Sequence, residues 1–193
     1  LPKQESQNFV IKTNNLLKDQ NIDIDLNNKI SDEIIVNYYS RISSILDENF
    51  HSKFTNNKSQ IFRDDAKDLN CERHFQIFNT FNVIPQFCFG CYKIQIDLKN
   101  VLELFKLYFV FDKIKLEKNN LRKCMIEIRS KVTGNYKGLL YCAGLSEAQK
   151  IEKYLNPIIK KTIGEDLSII IKRGCTEFSV PYPKYKEIDD SMT

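Results

Sequence analysis

The pattern of apolar and polar residues becomes regular after Cys91. Apolar side chains at alternate positions predict four β-strands, because successive side chains of a strand point to opposite faces of a sheet. These strands are predicted at Tyr92–Leu98, Cys124–Arg129, Lys137–Cys142 and Leu167–Lys172. Apolar residues spaced three or four positions apart predict a helix between the first and second strands and another between the third and fourth. The predicted order of elements is therefore βαββαβ.

Both predicted helices have N-terminal signals. Asn100 with Glu103 predicts a capping box for the first helix, and Ser146 is expected to cap the second. Pro157 lies inside the second helix and is expected to bend or interrupt it, because proline has no backbone N–H to donate. With right-handed connections, the βαββαβ order predicts an α+β fold, a ferredoxin-like sandwich over about residues 91–173.

The first ninety residues have a weaker pattern. Apolar spacing after Ser31 predicts a helix from Asp32 to about Phe50, the polar stretch 51–68 predicts a loop, and Glu72–Phe81 predicts a short helix. We expect four segments: a polar lead-in (1–30), a helical segment with Cys and His motifs (31–90), the ferredoxin-like domain (91–178) and an extended tail (179–193).

Two short motifs in the helical segment suggest a metal site. They are Cys71-x-x-His74 and Cys88-x-x-Cys91. A two-residue spacer lets both side chains of a pair reach one ion, so the two pairs could complete a four-ligand tetrahedral shell. Zinc is the first choice, because one His with three Cys is a common zinc ligand set.

A wider cysteine cluster gives an alternative cofactor. In a ferredoxin-like sheet, Cys91, Cys124, Cys142 and Cys175 are expected at one edge. Cys124 shares a predicted strand face with apolar residues and is interpreted as a core residue. An iron–sulfur cluster held by Cys88, Cys91, Cys175 and one more cysteine, with Cys142 as a candidate, is the main variant of the zinc hypothesis.

Charge is unevenly distributed along the chain. The net charge is +4, with −2 over residues 1–91 and +7 over residues 92–178. Aromatic residues of the predicted strands do not follow the pattern of known RNA-binding sheets, so the sequence lends little support to nucleic acid as a ligand. Four basic residues near strand ends form a candidate anion site, with a solvated strand end as the alternative: Arg122, Lys123, Lys172 and Arg173.

No catalytic signature is present in the sequence. It contains no phosphate-binding P-loop, dinucleotide-binding glycine motif, HExxH helix or GxSxG elbow, and whether the chain is an enzyme stays open. Three hypotheses follow from the cysteines. They are a zinc-stabilised binding or assembly module with a protein partner, an iron–sulfur or thiol-dependent redox component, and a metal-free partner-binding domain.

The sequence also indicates in which cellular compartment the protein is expected. No apolar run approaches the roughly 18 to 20 residues of a membrane-spanning helix. The N-terminal residues lack the features of a signal peptide. We therefore expect a soluble intracellular protein that makes no membrane contact. In such a compartment the six cysteines would stay reduced, whereas in a secreted protein three disulfides would be the competing account of them.

Overall fold

A computed structural model describes residues 11–20, 23–49, 60–63, 71–85, 88, 90–128 and 134–174. The protein is α+β, as the order of elements predicts. Residues 11–17 are helical. The other elements, in chain order, are α1 (Asp32–Asn49), β1 (Gln60–Arg63), α2 (Cys71–Phe81), β2 (Tyr92–Leu98), α3 (Val101–Lys113), β3 (Arg122–Ile126), β4 (Tyr136–Cys142), α4 (Leu145–Thr162) and β5 (Ser168–Arg173).

The strands form one antiparallel sheet in the order β1-β3-β4-β2-β5. Tyr92 of β2 lies opposite Cys142 of β4 on one side and opposite Arg173 of β5 on the other. The sequence did not predict β1, which pairs with the outer edge of β3. Its short apolar segment gives no alternation long enough to identify a strand, and the hydrogen bonds come from β3, which is distant in sequence.

The predicted capping box of α3 is confirmed. The Asn100 side chain accepts a hydrogen bond from the Glu103 N–H at 2.9 Å. The Glu103 carboxylate in turn accepts one from the Lys99 N–H at 2.7 Å. Ser31 likewise accepts a hydrogen bond from the N–H of Ile34 in α1, at 3.3 Å. Both helix starts follow the local sequence because each cap needs only residues within one turn.

The predicted cap of α4 is wrong. Gly144 occupies the cap position, so α4 begins before Ser146. Glycine has no side chain that could accept a capping hydrogen bond. The carboxylate of Glu147 accepts a hydrogen bond from the Ala143 N–H at 2.5 Å. At the start of α4, the side chain that accepts a backbone hydrogen bond is therefore an acidic residue of the first turn and not the predicted serine. Pro157 lies within α4, and the residues on both sides of it are helical, so the proline does not interrupt the helix.

The main hydrophobic core lies between the sheet and helices α3 and α4. It includes inward-facing residues of the central strands and the apolar faces of both helices. Its fully buried members include Ile94, Ile96, Leu107, Val110, Phe111, Leu140, Leu155 and Ile159. The predicted alternation of β2 is confirmed, because the apolar residues of this strand face the helices.

Helix α1 packs against α3, and its Ile35 belongs to the same hydrophobic core. The ring centroids of Tyr39 and Phe105 are 4.2 Å apart, and those of Tyr38 and Phe109 are 5.3 Å apart. At the start of α1, Asp32 pairs with the buried ammonium group of Lys106 on α3. Aromatic packing and this ion pair therefore fix α1 against the domain.

The sheet face opposite α3 and α4 is also buried at its centre. Gln95, Met125 and Leu139 are less than a tenth exposed. Lys137 and Glu127 form an ion pair at 3.6 Å on this face, and both side chains are almost fully buried. The centre of this face is therefore not exposed to solvent.

None of the helices in the described part of the chain combines the length and the apolar character needed to cross a bilayer.

Replacing Gly138 by Ala should destabilise the fold. A Cβ atom at this position would overlap the Cδ2 atom of Leu107 and lie 3.3 Å from Phe111 Cζ, and both side chains are fully buried. We expect the free energy of unfolding to fall by about 1–3 kcal/mol, measured by urea denaturation, because a tightly packed core resists added volume. Gly164→Ala is the control, since its added Cβ meets no atom within 4 Å. Equal effects of the two changes would contradict this interpretation.

Removing Asp32 should expose the dependence of α1 on its ion pair. Asp32→Asn leaves the buried Lys106 ammonium without its carboxylate and should lower the free energy of unfolding by about 1–3 kcal/mol. Glu33→Gln removes the same charge from the same helical turn, and should cost about 0.5 kcal/mol through the helix dipole alone. Adding Lys106→Met to the Asp32 variant should recover most of the loss. A cycle with no coupling between the two positions would disprove the role of the pair.

Candidate functional site

One end of the sheet brings together parts of the chain that the sequence predicted to converge. Cys91 directly precedes β2, and Cys142 ends β4 opposite Tyr92. Beyond β5, the Gly174 N–H donates a hydrogen bond to the Cys91 carbonyl oxygen at 2.6 Å. Cys175, the remaining cysteine of the predicted cluster, lies outside the described residues.

The Cys142 thiol is strongly disfavoured as a thiolate. Burial raises its pKa to about 12, and the carboxylate of Glu147 and the neighbouring Cys91 add to the effect. Cys142 faces the helices, since it pairs with Tyr92, and both residues belong to the core. Because the thiolate is the form that attacks electrophiles and binds metals, Cys142 is a poor nucleophile in this environment.

Cys124 is a core residue, as its strand pattern predicts. It lies opposite Gly138 on β4, near the half-buried side chain of Tyr39. Burial raises the pKa of its thiol to about 12. The pairing register places Cys124 further along the sheet than Cys142, so Cys124 does not lie at the sheet end where Cys91 and Cys142 meet.

The four residues of the predicted zinc site differ in exposure. Cys71 is exposed at the start of α2, and His74 is half-buried one turn later. Cys88 and Cys91 are buried, and the Cys88 N–H donates to the Pro85 carbonyl oxygen at 2.9 Å. Within the described residues, no three His, Cys, Asp or Glu side chains form a group that could hold a metal ion. The zinc site therefore remains a prediction.

The four basic residues of the predicted anion site lie on opposite faces of the sheet. Arg122 and Arg173 are buried on the helix-facing side. Arg122 donates a hydrogen bond to the Ile114 carbonyl oxygen at 3.3 Å, and Arg173 donates one to the Tyr92 hydroxyl at 2.8 Å. The Arg173 guanidinium carbon also lies 5.3 Å from the centre of the Tyr92 ring. These two arginines therefore connect parts of the domain interior.

Lys123 and Lys172, the two lysines of the predicted anion site, lie on the other face of the sheet. They lie near Lys93 and Tyr141, which the sequence did not predict as part of this site. Lys93 and Lys123 place their Nζ atoms 5.5 Å and 5.9 Å from the centre of the Tyr141 ring. Lys172 lies directly opposite Lys93 in the pairing of β5 with β2. We call this group of Lys93, Lys123, Tyr141 and Lys172 the lysine surface. Strand alternation indicates which face each residue occupies, but only the register brings the four together.

Comparisons with known proteins give no relative for this chain: no family model, curated protein or solved structure matches it.

Thiol reactivity should separate the cysteines by burial. At pH 8, Cys71 should react rapidly with a disulfide reagent, because it is exposed, whereas Cys124 and Cys142 should react only as fast as the protein unfolds. Cys71→Ser should remove a fast phase worth one thiol. Rapid modification of Cys124 or Cys142 in the folded protein, located by mass spectrometry, would contradict this prediction.

The same two thiols predict a loss of stability in alkali. Their pKa values are about 12 in the fold, against an ordinary value of 9.0, so the unfolded state loses these protons first. Their contribution to stability is complete below pH 9 and declines as the pH rises towards 12. Cys124→Ala should therefore flatten the fall in unfolding free energy between pH 9 and pH 10.5, whereas Cys71→Ala should not. Parallel curves for all three proteins would contradict the prediction.

Proposed function

We propose that this chain is a metal-free partner-binding module built on a ferredoxin-like α/β domain. The support for this fold is the order β3-β4-β2-β5 within the antiparallel sheet. Helix α3 connects β2 to β3, helix α4 connects β4 to β5, and the two helices contact each other and the sheet. This is the connectivity of a split βαβ sandwich.

The state of the buried thiols favours binding over catalysis. Cysteines were the main candidates for chemistry in the sequence, and Cys124 and Cys142 are buried with pKa values raised to about 12. A nucleophilic or redox-active cysteine needs a stabilised thiolate and access to its substrate. The environments of these two residues provide neither, and packing is the role that best accounts for them.

Zinc is a second candidate feature of the module. The observation that favours it is the meeting of Cys91 with Cys142 at the sheet end, because Cys91 belongs to the same CxxC motif as Cys88, which is also buried. A zinc ion there would lower the thiol pKa values and clamp the N-terminal segment to the sheet. Cys71 and His74 complete the predicted ligand set, and an iron–sulfur cluster with Cys142 and Cys175 is the variant.

Metal analysis of the purified chain tests both candidates. We expect the metal-free module to contain less than about 0.1 metal ion per chain after anaerobic purification, and its unfolding midpoint to be unaffected by a chelator. Cys88→Ala with Cys91→Ala should then change stability only by the loss of packing, about 1–2 kcal/mol for two small side chains.

The alternative results are distinct. One zinc per chain that is lost in the Cys88 and Cys91 double variant, but kept in a Cys124→Ala control, would replace the metal-free module by the zinc-stabilised one. Iron with inorganic sulfide and visible charge-transfer absorbance would overturn the binding-module proposal in favour of a redox component.

A further inference from the structure

We propose that the outer edge of β5 pairs with the same edge of a second copy of this chain, so that the two sheets join into one. This inference rests on the proposed function, because it names a second copy as the partner of the module. Strand β5 pairs with β2 on one side, and no strand in the described part of the chain lies on its other side. The outward backbone groups of an edge strand can hydrogen-bond to a further strand.

The centre of β5 has none of the features that usually protect an edge strand. Ile169, Ile170 and Ile171 follow one another there, without a proline or a charged residue among them. The register with β2 runs unbroken from Arg173 to Ser168, so no bulge bends the strand away from a neighbour. Three β-branched residues in a row also favour the extended backbone that strand pairing needs.

The opposite edge of the sheet fits a further strand less well. There, β1 covers the outer side of β3 along its whole length, Gln60–Arg63. Strand β1 in turn offers an edge of only four residues that ends in an arginine, whereas β5 has six residues and an apolar centre. Of the two edges of the five-stranded sheet, β5 is therefore the better template for pairing.

The hydrogen bonds to β2 show which backbone groups of β5 point outwards. The Gly174 N–H donates to the Cys91 carbonyl oxygen at 2.6 Å, which continues the register of the two strands. The backbone of Gly174 therefore points towards β2. Because this direction alternates along an antiparallel strand, Ile169 and Ile171 direct their N–H and C=O groups away from β2. The side chains of both isoleucines are partly exposed.

This alternation selects a register for self-pairing. In an antiparallel pair with two-fold symmetry, the outward groups of Ile169 in one copy meet those of Ile171 in the other, and about four hydrogen bonds form. Ile170 then lies opposite Ile170 of the second copy, with the two Cα atoms about 4.5 Å apart. The Ile170 side chain is 43% exposed on the sheet face opposite α3 and α4. Pairing in this register would therefore remove apolar surface from water in both copies.

The charges at the two ends of β5 favour an antiparallel second copy. Glu165 and Asp166 precede the strand and are exposed, the latter 3.7 Å from Lys99, which is also exposed. Lys172 and Arg173 end the strand. An antiparallel pair places the acidic end of one copy beside the basic end of the other, whereas a parallel pair would place like charges side by side. The charge pattern of this edge is thus complementary to itself.

Sedimentation velocity of the full chain tests the pairing at concentrations from about 5 to about 500 µM, because a small interface gives a weak dimer. The unaltered chain should dimerise within this range. Ile170→Lys places two ammonium groups opposite each other and should weaken the dimer by at least about tenfold. The matched control is Ile126→Lys, since Ile126 is 41% exposed and lies on β3, away from β5. The control should change the dimer by less than about twofold.

A charge-reversal experiment tests the register itself. Ile170→Glu should also weaken the dimer, because it places two carboxylates opposite each other. An equimolar mixture of Ile170→Lys and Ile170→Glu should dimerise again, since the two-fold axis then brings opposite charges together.

Cross-linking gives a second measure of the register that leaves the charge unaltered. In a Cys71→Ser background, which removes the exposed thiol, Ile170→Cys should form an intermolecular disulfide under mild oxidation. A Cα separation of about 4.5 Å lies within the range that a disulfide spans. Ser168→Cys is the control, because Ser168 would lie opposite Lys172 of the second copy and far from its own equivalent. It should cross-link at least about tenfold more slowly.

Other results overturn the inference. A chain that stays monomeric at about 500 µM would remove the β5 edge as a self-pairing site. Equal weakening by Ile170→Lys and Ile126→Lys would also contradict it, and so would a mixture of the two charged variants that stays monomeric. Equal cross-linking of Ile170→Cys and Ser168→Cys would rule out the register. Metal content tests the proposed function without reference to dimerisation, so either idea can fail alone.

Discussion

The close approach of α3 to the centre of the sheet is the constraint on which the rest of the domain depends. Gly138 leaves room for Leu107 and Phe111 to pack directly on β4, and both side chains are fully excluded from solvent. This contact fixes which face of the sheet is covered by helices. Because strand side chains alternate, it also assigns every neighbouring residue of β2, β3 and β4 to one face or the other.

That assignment separates basic residues that are adjacent in the chain. Arg122 and Lys123 point to opposite sides of β3, as Arg173 and Lys172 do on β5. The arginines are buried and contact a carbonyl oxygen or the ring of Tyr92. The lysine side chains lie on the other face and are partly exposed. The arginines therefore connect parts of the domain interior, and the lysines lie on the opposite face of the sheet.

The regular part of the fold could be predicted because its signals are local. Alternation within each strand and the cap at Asn100 involve residues a few positions apart, and both are confirmed. Strand β1 and the start of α4 could not be predicted in the same way. The first gains its hydrogen bonds from β3, and the second uses Glu147 in place of the expected Ser146. A partner distant in sequence decides the first case, whereas the second depends on local residues, Gly144 and Glu147, that the serine-capping pattern did not identify.

The sequence by itself determined the βαββαβ order of elements and the short spacing within the Cys88-x-x-Cys91 motif, because periodicity and covalent spacing act over a few residues. Only the tertiary structure decided that Cys124 lies away from the sheet end where Cys91 and Cys142 meet, and that Lys93 and Tyr141 lie near Lys123 and Lys172. Cross-strand neighbours depend on register, which is fixed when the core packs. Burial of the Cys142 thiol, and therefore its raised pKa, arises at the same step, since desolvation exists only in the folded chain.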